Sequence, residues 1–502
     1  MKKLMFFTFS FLIFNYLHAQ PSFIKDSLDD YINQGLKDWN IPGLAIVIVK
    51  DGKVVVMKGY GVRNLDTKEP VDENTLFMIA SNSKLFTATS LAQLEYDKKL
   101  SLDDKITKYF PWYRAYDSTT TELVTIRDML AHHLGTKTFQ GDFTFWNSLY
   151  SRDSIMYKMR LLKPVGNFRQ QWGYCNSCFL TAGQVIEKVT GKPWEVYVYD
   201  SIMAPLGMIN THALGNNMEQ MPGAASPYTN AFAKDLQQLP YDNVDNLAPA
   251  GAIVSSVKDI SKWLLMQLDS GRSNGKQVIP WPAIRRTRDM NTIISSRKND
   301  FLSRHFYGYG LGVFMSDYGG RQTFEHTGGA DGFVTNTCFV PEENLGIAIL
   351  TNNDNQEFFE LLRYQILDAY FNLPYRNYST LALNNFMEER QKTLENIDAL
   401  KARIKNKKPP FSLNAYTGEY MNPVFGKISI RVNAGDLIIK FNQHNLTATL
   451  QYMDSNEWML SYNNPAYGIF PLKFVTDGDK VVSVDIKVND FLEFDPYTFT
   501  KQ

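Results

Sequence analysis

The sequence predicts an α+β chain: an antiparallel sheet built by strands from both ends of a long first unit, helices between them, and a small all-β sandwich or barrel at the C-terminus. Three observations carry this. Gly43 to Lys50 is an apolar, β-branched run, Asp51-Gly52 is a hairpin dipeptide, and Lys53 to Tyr60 returns as a second strand. Strand character reappears at Tyr307 to Met315, Gln322 to His326, Gly332 to Val340 and Leu345 to Thr351, with turn residues between. Beyond about residue 372 the pattern changes twice, first to helical spacing and then to short alternating runs.

Between the two strand groups the chain reads as loops and helices, punctuated by Pro111, Gly135, Pro164 and Gly191. Leu85 to Tyr96 has apolar residues at helical intervals and is preceded by Ser81 and Ser83, which suit a helix start. Further helices are expected at Ile126 to Ala131, Thr181 to Val189 and Val257 to Leu268, the last introduced by Ser255-Ser256. Leu383, Met387, Leu394, Ile397, Leu400 and Ile404 then recur at helical spacing until Lys405 to Pro410 breaks the pattern. After it, Lys427 to Val432, Leu437 to Phe441 and Val481 to Ile486 alternate as strands, with turn pairs at Ala434-Gly435 and Asp477-Gly478. The expected division is 1–19 signal, 20–372 main unit, 373–410 helical linker and 411–502 β-rich accessory unit.

The 502 residues, 44% hydrophobic and 21% charged, suffice for one large core and a second folding unit. Formal net charge is zero, so nothing favours nucleic acid or an anionic membrane as partner; a small molecule or short peptide fits better. Met1-Lys2-Lys3, an apolar run to Leu17 and small Ala19 have the form of a secretory signal, too short to span a bilayer comfortably, and no later stretch is long enough to do so. A periplasmic or secreted bacterial protein is expected. Cys175, Cys178 and Cys338 are too few for a disulfide framework, and Cys175 and Cys178 read as small, half-buried residues of one helix. No nucleotide-binding glycine pattern is present, so no cofactor is expected. Adjacent His132 and His133 point in different directions and lack further ligands; they read as packing, and no metal is expected.

The chemistry-bearing motif is Ser81-Asn82-Ser83-Lys84, a hydroxyl and an amine nearly one turn apart at the mouth of an apolar helix. A serine hydroxyl needs a neighbouring base, and a lysine serves only when desolvation or nearby positive charge lowers its pKa. The helix start also favours negative charge developing at Ser81. Downstream, Tyr174-Cys175-Asn176 places a phenol and a carboxamide two residues apart, and His326-Thr327-Gly328-Gly329 runs a strand into a glycine-rich turn.

These motifs, in this order, resemble the S-x-x-K, Y-x-N and K/H-T-G set of the serine β-lactamase and penicillin-binding protein superfamily, most closely its class C β-lactamase, D-Ala-D-Ala carboxypeptidase and esterase branch. Thr125 to His132, similar to that family's T-I-R-x-L-L-x-H segment, and Val189-Thr-Gly191 extend the likeness over roughly residues 25 to 370. The resemblance implies a β-lactamase/transpeptidase-like antiparallel sheet flanked by helices, with an all-helical subdomain. It implies that Ser81 forms an acyl-enzyme, that Lys84 and Tyr174 exchange the proton, and that Asn176 orients Lys84 and holds a substrate amide. It further implies an oxyanion hole from the backbone N–H groups of Ser81 and Gly329, with His326, Thr327, Gly328 and Gly329 along the substrate.

The sequence departs from the family pattern at His326 in place of lysine, at Cys175 in place of serine or alanine, and at His133-Leu134 in place of Thr-Ser. Histidine gives no fixed positive charge for a substrate carboxylate near neutral pH, which favours a D-amino-acid peptidase or esterase over an efficient β-lactamase. A second reading, from another class, is a catalytically weak penicillin-binding sensor or binding protein using the same pocket. The substrate itself, the deacylation rate and the oligomeric state are not encoded in any motif. The tail has no cluster of His, Cys or carboxylates of its own, and in resembling proteins such a tail caps the cleft or mediates assembly.

Overall fold

The computed structural model describes residues 20–405 and 408–502; the expected signal at residues 1–19 lies outside them. Its main sheet begins as expected. The run Gly43–Lys50 is β1, Asp51 and Gly52 turn the chain at φ of 50° and 74°, and Lys53–Gly61 returns as β2. Six more strands follow late in the chain: β3 (Thr292–Ser295), β4 (Tyr307–Tyr309), β5 (Phe314–Tyr318), β6 (Arg321–Ala330), β7 (Phe333–Val340) and β8 (Leu345–Thr351). All eight form one antiparallel sheet in the order β2-β1-β8-β7-β6-β5-β4-β3. Strands from opposite ends of this unit meet where Leu44 pairs with Thr351 and Lys50 with Leu345.

Six helices position the site: α1 (Leu28–Asp38), α2 (Ser83–Tyr96), α3 (Asn176–Thr190), α4 (Val257–Leu268), α5 (Phe358–Phe371) and α6 (Tyr378–Ala402). Strand alternation explains why β1 and β8 are apolar up to their last residues, Lys50 and Thr351. Leu44, Ile46, Ile48, Ile347 and Ile349 face a core shared with Ile32 of α1 and Phe358 and Leu362 of α5. Ala45, Val47, Val49, Ala348 and Leu350 face the opposite core, which holds Trp263 and Leu264 of α4 and most of α2. Both faces are covered, so apolar side chains fill these strands, and the one buried hydroxyl, that of Thr351, donates to the Val334 carbonyl. Helix α2 is likewise buried on nearly every side, and Phe86 stacks on Trp263 of α4 with ring centroids 4.2 Å apart.

Two expectations need correction. The run Tyr307 to Met315 is not one strand: Gly310 to Val313 makes a tight turn, with Gly312 at φ 72° packed against the Lys84 carbonyl, and the run folds into the hairpin β4–β5. A side chain at Gly312 would both strain that turn and strike α2, which is why the break is a glycine. Cys175 and Cys178 are fully buried rather than half-buried, because α3 is packed on several sides; all three cysteines are free.

Behind β6, the fully buried Arg363 of α5 places Nη1 2.6 Å from Glu325 Oε2. Replacing Arg363 by methionine strands Glu325 as a buried, uncompensated charge next to His326. It is expected to cost about 3–5 kcal/mol, read as a lowered midpoint of urea unfolding.

After α6 the chain forms a closed eight-stranded barrel: β9 (Gly418–Asn422), β10 (Gly426–Asn433), β11 (Asp436–Phe441), β12 (Leu446–Tyr452), β13 (Glu457–Tyr462), β14 (Ile469–Asp477), β15 (Lys480–Ile486) and β16 (Tyr497–Lys501). Of the two expected forms, sandwich or barrel, it is the barrel; β9 pairs with β16 and no strand edge is left open. Alternate residues such as Ile428, Ile430, Leu437, Ile439 and Phe441 fill it, and Ala434-Gly435 turns the β10–β11 hairpin at φ of 50° and 93°. The barrel is seated on the sheet unit: Tyr150 Oη donates to the Phe425 carbonyl (2.7 Å) and Asn464 Nδ2 to Asp331 (3.1 Å).

Candidate active site

Ser81 lies in the single 3₁₀ turn Ala80–Asn82 that feeds α2. Ala80 in front of it is held at φ 46°, a left-handed conformation costing a non-glycine residue roughly 1–2 kcal/mol, and its full burial keeps it there. The turn is tied to the sheet through Thr335 of β7, whose Oγ1 donates to the Ile79 carbonyl (3.0 Å) and accepts from Asn82 Nδ2 (2.9 Å). Gly328 of β6 closes on the same turn: a Cβ there would sit 2.1 Å from the Ile79 oxygen, so only glycine permits this approach.

Lys84 is fully buried and its Nζ touches three oxygens: Ser81 Oγ at 3.0 Å, Asn176 Oδ1 at 2.7 Å and the Ala250 carbonyl at 2.7 Å. Desolvation lowers its pKa to about 7, against an upward pull from Asp142 and Cys175. A neutral amine has two N–H bonds and one lone pair. The two carbonyl oxygens accept only, so they take both N–H bonds, and the lone pair is left facing the Ser81 hydroxyl. Lys84 Nζ also lies over the rings of Tyr174 (4.7 Å) and Phe179 (5.4 Å).

Asn176, the first residue of α3, is fixed in turn by donating Nδ2 to Asp142 Oδ2 at 2.6 Å. Burial pushes the Asp142 carboxyl well above the ordinary range, reinforced by Glu493. Tyr174 is buried, and desolvation raises its pKa while a hydrogen bond with Ser81 works the other way, so the phenol keeps its proton at neutral pH. Its ring rests on His132 with centroids 4.4 Å apart, and His132 Nδ1 accepts the Cys175 N–H at 3.0 Å. His133 turns away to Asp128 and Thr292. The two histidines thus have separate partners.

On the facing strand, β5 pairs with β6 only as far as Glu325, so the edge from His326 to Ala330 is left open toward Ser81. His326 is buried; its Nδ1 lies 2.6 Å from the Thr327 carbonyl, an acceptor, so Nδ1 carries the hydrogen and Nε2 accepts from Tyr309 Oη at 3.1 Å. Burial first, and Lys84 second, lower its pKa to about 3, and the ring presents no positive charge to the cleft. Ser81, Tyr174, Asn176, His326, Thr327, Gly328 and Gly329 all line one cavity of about 320 Å³, with Lys84 directly beneath. Its walls are aromatic, including Phe139, Trp146, Trp172 and Phe314.

The motifs do not reveal Asp142, the Ala250 carbonyl or the barrel residues Phe491 and Leu492, which also line or support this cavity. Asp142 lies in a four-residue helix without periodicity, and a backbone carbonyl has no residue signature. Only folding brings them here.

The sheet, the flanking helices and this cleft define a serine hydrolase of the β-lactamase and penicillin-binding-protein type. The chain belongs to the beta-lactamase family, whose model matches residues 28–371; a second model, for a domain of unknown function (DUF3471), matches residues 402–501. Among curated proteins it is 25% identical to Protein flp of Staphylococcus aureus (strain MRSA252) over 383 residues, 73% of this chain and 70% of that one. It is 27% identical to the unguisins hydrolase ungD' of Aspergillus campestris over 440 residues, 80% of this chain and 76% of that one. Among solved structures, the octameric penicillin-binding protein homologue from Pyrococcus abyssi shares the fold, with a TM-score of 0.61 and 21% identity over 94% of this chain and 99% of that one.

Proposed function

We propose that this protein is an exported hydrolase in which Ser81 is acylated by small amide, peptide or ester substrates, D-amino-acid peptides and esters being favoured over β-lactams. The observation that carries this is the Lys84 amine, bonded to two carbonyl acceptors and 3.0 Å from Ser81 Oγ, which as the neutral base leaves its lone pair for the hydroxyl. Ser81 Oγ attacks the substrate carbonyl and its proton passes to Lys84 Nζ. The tetrahedral oxyanion is held by the backbone N–H groups of Ser81 and Gly329, each such donor contributing about 3 kcal/mol. As the carbonyl re-forms, Tyr174 and Lys84 deliver the proton to the leaving group, and Asn176 and the open edge at Thr327 to Gly329 hold the substrate's amide. Water then attacks the acyl-enzyme with Lys84 and Tyr174 again relaying the proton.

The preference against β-lactams is supported by the neutral, internally bonded His326, which offers no fixed charge to an ionised carboxylate. Export to the periplasm or medium is supported by the basic start, apolar run and Ala19 of residues 1–19. Incubating the purified protein with D-Ala-D-Ala peptides, D-amino-acid amides, nitrocefin and short p-nitrophenyl esters, and reading intact mass, identifies the acyl donor from the adduct. The rate of adduct formation is expected to rise with pH through about 7 as Lys84 loses its proton, then to level, since Tyr174 stays protonated. A wild-type protein that no acyl donor or fluorophosphonate modifies is a binding or sensor protein instead.

A further inference from the structure

The barrel is closed, so its strands offer no edge and any contribution to chemistry must come from its loops. The loop at residues 487–496, between β15 and β16, reaches the cleft. Phe491 and Leu492 line the cavity around Ser81, and a Cβ added to Gly329 would sit 2.7 Å from Phe491 Cζ. Glu493, only 2% exposed, accepts from the backbone N–H groups of Gly141 and Phe143, both at 2.9 Å, and from Tyr497 Oη at 3.0 Å.

Those two backbone groups flank Asp142. The segment Phe139 to Phe143 therefore alternates between two duties. Phe139 stacks on Phe494 of the loop (centroids 5.9 Å, planes 21° apart), and the Phe143 ring enters the barrel core 4.7 Å from Phe425. Between them Asp142 turns the other way, to Asn176 and through it to Lys84. Lys137 and Asp495, 2.5 Å apart, close the contact. A buried carboxylate with two backbone donors and a phenol is a built anchor, and the segment it anchors sets the hydrogen-bond chain ending at the base. Phe491 also stands between the cleft and a second cavity of about 460 Å³ bordered by Phe232, Asn396 and Phe470.

We propose that this barrel loop is a wall of the active site, in which Glu493 is a positioning residue for the Asp142–Asn176–Lys84 chain and Phe491 is a specificity-determining residue that stops longer substrates from passing into the second cavity. The inference rests on the hydrolase function proposed above and assigns the barrel its part in it. Of the charged and titratable groups around Lys84, Asp142 and Cys175 raise its pKa, and His132 and His326 lose their own protons more readily because of it. Around Glu493 the groups are Asp142, Asp495 and Tyr497. Glu493 disfavours ionisation of Asp142; without that charge Asp142 ionises more readily and holds the proton on Lys84.

The test uses the full chain with p-nitrophenyl butyrate and p-nitrophenyl decanoate, and a fluorophosphonate as label for Ser81. Glu493→Gln is expected to lower kcat/KM for both esters by about tenfold and to move the midpoint of its pH rise upward, with Glu493→Asp partly restoring both. Phe491→Ala is expected to raise the decanoate-to-butyrate ratio of kcat/KM by about tenfold. A Glu493→Gln protein whose midpoint stays at the wild-type value, or a Phe491→Ala protein with an unchanged ratio, overturns the respective assignment. Should Glu493→Gln not fold, Tyr497→Phe, which removes one bond to Glu493, is read for the same upward midpoint and decides the matter. A wild-type chain that neither ester nor label modifies refutes the hydrolase function itself, an outcome separate from these.

Discussion

Ser81→Ala is expected to abolish covalent labelling by a fluorophosphonate or a fluorescent penicillin and to leave the fold intact. The substitution removes one oxygen from a turn held by other bonds: Thr335 to Ile79, Asn82 to Thr335 and the Ile253 N–H to Ser83 Oγ. Lys84 keeps its two carbonyl acceptors, and the Tyr174 phenol, which loses its bond with Ser81, still faces the open cavity. Adduct formation read by intact mass, beside an unchanged circular dichroism spectrum, checks both halves. Labelling that persists at another residue shows that Ser81 is not the nucleophile.

Lys84→Met is expected to slow acylation by about 10³-fold, within the range that a positioned general base supplies. Methionine retains much of the stem's volume in the fully buried site, so the loss reports on the amine more than on a cavity. Both variants free Asn176 Oδ1 and the Ala250 carbonyl, and Lys84→Ala is expected to match Lys84→Met in rate but to be less stable because it also leaves a void. The residual activity should also lose the rise through pH 7, because the group responsible for it is gone. Stopped-flow acylation across pH measures this; a near-normal rate with the rise intact assigns the base elsewhere.

The degree to which the site was legible followed the range of the interactions. Ser81 and Lys84 are three residues apart, in the 3₁₀ turn and the first turn of α2 that follows it, and local helical geometry puts both groups on one side. Tyr174 and Asn176 at the entry of α3, and the open edge from His326 to Gly329, have recognisable local forms. Their convergence, though, is a property of packing: α3 must dock beside α2, and β6 must outrun β5 past Glu325. The strand expected over Tyr307 to Met315 failed for the same reason, because the turn at Gly312 is set by its approach to α2. Asp142 and Glu493, 351 positions apart, carry no motif at all.

By itself the sequence determined the elements whose causes are local: the β1–β2 hairpin through Asp51-Gly52, the alternating strands of the barrel, the helix start that brings Ser81 and Lys84 together, and the kind of chemistry proposed for those two groups. The tertiary structure decided the state in which those groups stand. Burial takes water from Lys84 and lowers its pKa to about 7, and burial keeps His326 uncharged. Desolvation depends on everything packed around a group and not on its neighbours in the chain, so no residue pattern encodes it, and the barrel loop against the cleft is part of what that packing supplies.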